Sequence, residues 1–427
     1  MSLSSIFGSG LSGLQAAQAG LRVVSQNIAN VNTPGYARAD IDLQATQLGS
    51  QGGGVAVVNY HRAVDQFLSA ATLNAQAGQG AGDVRADLLG RAQQAFGDPT
   101  SDSSLFAALD KVFTRFTELS ADPTNTLRRT NVTTAIQDFL SSISNVGQQI
   151  ESLRVETEDR LNEQAQTASN LLSRISDFNV QIRNVRANGG DSTSVENAQA
   201  QLIDQLSSYM DVTVSNLDTG GVSVRTGAGA LLVGETPAQI RYTPASTAYS
   251  GSGSLDLIDA NGAAHPLEGL IRSGSIFGLM QARDVDLPGL SEALGSLAGA
   301  AADALNAAHN ESTTVPAPTS LTGRDTGLLA TDRLGFTGAS VIGVTDANGN
   351  LLHTVKLDFS NGTYSLDGAA AVSYGGANAT VTQLVSGLNT ALSGIGGASF
   401  ANGKLTISGS GGNGVVVQQD PTTPSSR

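Results

Sequence analysis

The sequence predicts a multidomain α+β protein, an elongated long-helix bundle with inserted or appended β-rich domains. Three observations predict it. From Thr130 to Arg186 there is no proline and one glycine, Gly147, so a single helix can run roughly 85 Å at about 1.5 Å per residue. After Asp211 the chain changes to short apolar alternations broken by Gly, Asp and Thr turns, the texture of β structure. The length of 427 residues suggests roughly three domains at about 150 residues each.

Composition excludes several functions. Lys and Arg number 23 against 37 Asp and Glu, a formal charge of −14 that repels a phosphate backbone, so nucleic acid is not an expected partner. With no cysteine there is no disulfide, thiolate metal site or cysteine nucleophile. The start MSLSSIFGSGLSGL lacks the basic residues and compact apolar core of a cleaved secretory signal. No run approaches about 18 apolar residues; the closest, Leu297 to Ala308, is interrupted by Asp303, so no membrane span is expected.

Taken in order, Leu11, Leu14, Leu21, Val24, Ile28 and Val31 recur at steps of three and four or their sums, predicting an amphipathic helix from Leu11 to Val31. Asn32-Thr33-Pro34-Gly35 then stops it, Pro fixing φ and Gly accepting a positive one, and the chain turns near Tyr36. After Gly52–Gly54, the residues Val55, Val57 and Tyr60 predict a short strand or extended arm, with helix resuming over Val64–Leu73. Leu105, Leu109, Val112, Phe113 and Phe116 give a further helix within 103–119. The long helix carries a seam through Ile136, Phe139, Ile143, Val146, Ile150 and Leu153. The seam resumes at Leu161, Ala168, Leu171, Ile175, Phe178, Ile182 and Val185, with a stutter in heptad phase at Thr157.

Asn188-Gly189-Gly190-Asp191 closes that helix, and Val195 to Tyr209 reads as its antiparallel return. A β region follows to about Pro266, then a helical stretch from Ser275 to His309 and a Pro-containing linker at 315–318. Strands at Val341–Thr345, Leu351–Phe359 and Thr363–Leu366 are joined by the turns Asp346–Asn350 and Ser360–Gly362. A helix at Val381–Leu392 and a hairpin at Asn402-Gly403 finish the chain. The expected divisions are therefore 1–36, 37–210 (long helices), 211–270 (β-rich), 271–312 (helical return), 325–420 (outer β domain) and a tail at 421–427.

No catalytic constellation is legible. Gly8-Ser9-Gly10-Leu11-Ser12-Gly13 matches a dinucleotide fingerprint formally, but no strand can lead into it, and small residues that let the segment flex are the better reading. Asp346–Asn350 lacks the Gly and bidentate Glu spacing of a calcium loop and reads as a hairpin turn. His61, His265, His309 and His353 stand singly, none at a metal-ligand spacing, and each reads as a surface or packing residue. The chain has no nucleophile elbow, no P-loop and no identifiable acid pair. No enzyme activity, cofactor or metal is expected.

The segment LSGLQAAQAGLRVVSQNIANVNTPGY, Leu11 to Tyr36, resembles the N-terminal signature shared by bacterial flagellar rod, hook and hook-associated proteins, with Ala29–Tyr36 its most specific part. GGGVAVVNYHRAVDQFL (Gly52–Leu68), the long helix, AQLIDQLSSYMDVTV (Ala200–Val214), GSIFGLMQARDVDLPGL (Gly274–Leu290) and ALNAAHN (Ala304–Asn310) are similar to the hook-associated protein 1 family of hook–filament junction proteins. The last hundred or so residues are similar only in β-rich texture.

The resemblance implies a structural subunit of the extracellular part of the bacterial flagellum, exported through the flagellar type III channel without a cleaved signal. It implies as partners the hook protein, the next hook-associated protein and further copies in a ring, with an export chaperone acting at the C-terminus. It further implies an N-terminal helix that pairs with a C-terminal one. The sequence closes on QQDPTTPSSR, so that C-terminal axial helix is expected to be missing. Leu11, Leu14, Leu21, Val24 and Ile28 are then the expected subunit-packing stripe, and Asn30, Asn32, Pro34, Gly35 and Tyr36 the axial signature turn. The competing reading packs the stripe inside the subunit's own helical domain. Other readings are a hook- or rod-type axial protein, a secreted coiled-coil adhesin, or an enzyme riding on an axial terminus with an acid pair in its last β domain.

Overall fold

The computed structural model describes residues 3–33, 35–48, 51–245, 251–311, 314 and 316–419; Pro34 and the tail at 421–427 lie outside them. The chain divides into two compact units, one of Met1–Phe116 with Val132–Leu294, the other of Thr117–Asn131 with Gly295–Arg427.

In the first unit α1 runs Leu3–Ala29, starting ahead of the predicted Leu11. Gly8, Gly10 and Gly13, read from sequence as a flexible stretch, are helical. Glycine costs about 1 kcal/mol per helical position, and here the neighbouring chain supplies compensation: Ser12 Oγ donates to Ser9 O and accepts from Val55 N–H at 3.2 Å. That neighbour is an antiparallel ribbon of β1 (Ala39–Leu48) and β2 (Gln51–Arg62), paired from Ala39↔Arg62 to Leu48↔Gln51 with two bulges. The predicted strand at 55–60 is thus half of a longer hairpin, which packs along α1.

Asp65 caps α2 (Gln66–Phe96) by accepting from Phe67 and Leu68 N–H, and Leu73, Ala77, Val84, Leu88 and Ala92 form its buried stripe. The helices α3 (Leu105–Ala121), α4 (Thr126–Ala187) and α5 (Thr193–Tyr209) follow. Most of the α4 seam predicted from sequence is buried: Phe139, Val146, Ile150, Leu153, Leu161, Ala168, Leu171, Ile175 and Ile182. Thr157, at the stutter, is buried too and donates its hydroxyl to Leu153 O at 2.7 Å, which satisfies the polar group inside the seam. Arg91–Glu156 and Arg160–Asp87 tie α2 to α4 on the outside.

Two three-stranded antiparallel sheets lie on these helices. One holds β3 (Val212–Asn216), β4 (Val222–Thr226) and β5 (Leu231–Val233); the other holds β6 (Gln239–Thr243), β7 (Ser254–Ile258) and β8 (Ala264–Pro266). Asn179 of α4 fixes the first by exchanging hydrogen bonds with Val222 N–H and C=O. Glu158 of α4 fixes the second by accepting from Tyr242 Oη and Gly253 N–H. The helical stretch predicted at 275–309 is α6 (Ser275–Gln281) and α7 (Leu287–Glu311) joined by a π turn over Ala282–Asp286. That turn buries Arg283 between Asp284, Glu158 and Gly253 O, and sends Asp286 to Arg85 of α2.

The second unit carries its own β domain. β10 (Ala339–Thr345), β11 (Leu351–Asp358), β12 (Thr363–Leu366), β13 (Val372–Ser373) and β16 (Gly414–Gln419) form a sheet ordered β13-β12-β11-β10-β16. A smaller sheet pairs β14 (Gly396–Ala401) and β15 (Lys404–Gly409) with β9 (Ser320–Thr322), so the strand pairing begins before residue 325. Helix α8 (Val381–Ala391) closes a core of Val344, Val355, Leu357, Leu384, Leu388, Leu392 and Val415. No helix among the described residues is long and apolar enough to cross a membrane.

Candidate subunit-packing surface

Helix α1 has two apolar faces, and the ribbon takes only one. Ala16 and Val23 are buried, whereas Leu11, Leu14, Leu21, Val24 and Ile28 are between 49% and 69% exposed. Ile6, Phe7 and Val31 extend the exposed row at either end. None of the five predicted residues is buried in the structure.

The buried face is fixed to the ribbon by polar contacts that set its register. At Gly54 (φ +118°) the strand comes so close to α1 that a Cβ would overlap Ser12 Oγ, a position only glycine fills without displacement. At the other end Asn27 accepts from Ala39 N–H and donates to Ala39 C=O, both at 2.9 Å, and also accepts from Tyr36 Oη at 2.9 Å. One carboxamide thereby joins the helix, the signature turn and the first strand.

The turn itself is closed by Thr33 N–H donating to Asn30 C=O at 2.9 Å and Tyr36 N–H to Thr33 C=O at 3.2 Å. Asn30 Nδ2 reaches back to Gln26 C=O, its Oδ1 accepts from Thr33 Oγ1, and Asn32 is exposed. Gly35 has the positive φ, +74°, that the sequence required of it, and a Cβ there would press on Gln201 of α5 at 3.2 Å. Pro34 lies outside the described residues.

The structure adds residues that the sequence reading missed. Asn197 of α5 accepts from Ala37 N–H at 3.0 Å and from Arg62 Nε at 2.8 Å, and donates to Ala37 C=O at 3.2 Å. Burial pushes the Arg62 guanidinium below its usual range against the pull of Glu196 and Asp204, and burial pushes the Asp204 carboxyl up. Asn27 had a signal in the sequence: it continues the row Ala16, Gly20, Val23, of which Ala16 and Val23 are buried, at steps of four, three and four, a polar residue where an apolar one would fit. Asn197 had none, because its partners lie far away in the chain.

Elsewhere the polar groups serve turns. Asp346 accepts from Asn350 Nδ2 and from Asn348 and Asn350 N–H, all at 2.8 Å, so its own hairpin uses the carboxylate and holds it below the usual range. His265 of β8 meets Asp259, just past β7, and His353 of β11 meets Asp367, just past β12. Among the described residues no group of three His, Asp or Glu is placed to hold a metal ion.

Comparison with known proteins assigns the family. A family model described as the flagellar hook-associated protein FlgK helical domain matches residues 89–320, more than half of the chain. The chain belongs to the flagellar hook-associated protein FlgK family. In this FlgK-family chain a second model, of flagella basal body rod proteins, matches residues 8–36, which carry the stripe and the signature turn. Flagellar hook-associated protein 1 of Salmonella typhimurium is 27% identical over 317 residues, covering 72% of this chain and 57% of its own length. The Bacillus subtilis protein of the same name is 26% identical over 232 residues, covering 52% and 46%. The chain therefore spans just over half the length of the Salmonella relative. The structure of the flagellar hook junction protein FlgK from Burkholderia pseudomallei has the same fold at a TM-score of 0.50 and 18% identity, covering 82% of this chain and 62% of that one. Membership in the FlgK family associates the chain with the bacterial flagellum.

Proposed function

We propose that this chain is a non-enzymatic adaptor subunit in the axial structure of the flagellum, joining hook to filament outside the cell. The observation that carries the proposal is the apolar row on α1. The helix is already anchored by its opposite face, yet Leu11, Leu14, Leu21, Val24 and Ile28 remain in water. Burying such a side chain is worth about 1.5–3 kcal/mol, so five in one row make a strong contact surface and an unfavourable one to leave bare. Asn30, Asn32, Gly35 and Tyr36 lie at the corner from which the chain turns back as the ribbon.

The names of the relatives, hook-associated and hook junction protein, support the position in the axis. In this reading the partners are hook subunits on one side, the next hook-associated protein on the other, and neighbouring copies in a ring. Export runs unprocessed through the flagellar type III channel. The proposed divisions are the axial segment 1–36, the helical regions 37–210 and 271–312, and the β-rich parts 211–270 and 325–420.

Co-sedimentation with isolated hooks tests the proposal. The parent chain should pellet with hooks, and Leu21→Asp or Ile28→Asp should stay in the supernatant while keeping its helix content by circular dichroism. Equal pelleting of parent and variants would remove the stripe from the contact.

A further inference from the structure

Helix α1 and the ribbon contact each other along their length, whereas their contact with the helices of the same unit is concentrated in one element pair, β2 against α5. The chemistry there is polar. Asn197 is buried on α5, and its single carboxamide holds both ends of the ribbon's base: Ala37, just before β1, through N–H and C=O, and Arg62, the last residue of β2, through Nε. Those two ends are also tied to each other, by the Ala39↔Arg62 pair and by Ala63 N–H donating to Arg38 C=O at 2.8 Å. Next to them Gly35 abuts Gln201 and Asp204 of α5.

A joint of this kind has two physical properties. Hydrogen bonds lose strength steeply as they bend, so three of them converging on one buried amide define a direction that apolar contacts, free to slide, would not. Because the joint is small and the arm is internally well bonded, a change there moves the arm as one body, in the manner of a hinge whose few residues absorb the motion.

We infer that Asn197 is the pin of this joint, a positioning residue that sets the direction of the α1–ribbon arm against α4 and α5 and so aims the apolar row. The aim matters only if the row is a subunit contact, and in that respect the inference rests on the proposed function. The joint itself is tested without hooks, so a failure of the junction reading leaves its test intact.

The absence of cysteine makes the test direct, since any introduced pair is the only labelled pair. Spin labels at Gln15→Cys on α1 and Gln181→Cys on α4, both exposed, report the arm's direction by pulsed electron paramagnetic resonance. Labels at Gln15→Cys and Asn59→Cys, also exposed, report the arm's interior. In the parent both distance distributions should be narrow. Asn197→Ala should at least double the width of the first and leave the second unchanged, with helix content unaltered. Asn197→Asp keeps both acceptor bonds and should stay close to the parent. A first distribution as narrow in Asn197→Ala as in the parent would overturn the inference. So would equal broadening of the second, which would make Asn197 a general support of the arm rather than its pin.

Discussion

At Asn27 one side chain meets three groups, Ala39 N–H, Ala39 C=O and Tyr36 Oη, at the point where helix, turn and strand join. Its removal leaves backbone groups unpaired in a partly buried place. Asn27→Ala should therefore cost about 1–3 kcal/mol, seen as a lower urea midpoint and as faster hydrogen exchange at Ala39. Asp204 makes the opposite case. Its folded-state pKa is raised by burial, so the native state binds the proton more readily than the unfolded chain, and stability rises as pH falls through that raised value. Asp204→Asn removes the ionised form. It should raise the urea midpoint at pH 7, and the advantage should shrink on acidification as the parent's Asp204 takes up its proton. An advantage that grew on acidification would contradict the assigned cause.

The elements differ in what their apolar seams are for. On α4 the seam is the core, with Leu161 and Ile175 fully buried; on α1 the exposed row lies outside any core. Leu161→Ala should cost about 2–5 kcal/mol, whereas Leu21→Ala should change the stability of the free chain by no more than about 0.5 kcal/mol. Parallel urea titrations check the pair. Both seams were legible in the sequence because each is local and periodic, and the absence of proline gave α4 its length. What periodicity does not contain is which seam finds a partner within the chain. The α1 start was missed because three glycines argue against helix and the compensating ribbon is distant in sequence. β1 did carry a signal, Ile41, Leu43 and Ala45 alternating with Asp40, Asp42 and Gln44. The π turn carried none: Arg283 within it is buried against Glu158 of α4 and the Gly253 carbonyl just before β7, partners distant in the sequence. For the same reason the exposed row was readable and the Asn197 clasp was not.

Across the whole molecule the charge of −14 sets how copies can meet. Like-charged chains repel at long range, a repulsion screened beyond about 8 Å at physiological ionic strength, so an axial contact has to be made by uncharged surface. The row on α1 is such a surface. Docking to hooks should accordingly hold or strengthen when NaCl is raised from low to high concentration, and strengthen further in sulfate, which favours apolar burial. A steep loss of docking with salt, read by co-sedimentation, would show that charge pairs carry the contact instead.

The central claim is that the exposed row of α1 seats this chain at the tip of the hook. Electron microscopy of filament-free hooks incubated with the chain tests it most directly, beside a variant with both Leu21 and Ile28 changed to Asp. The account predicts a ring at the distal end of hooks given the parent chain and bare ends on those given the variant. Bare ends with both, or rings with both, would contradict it.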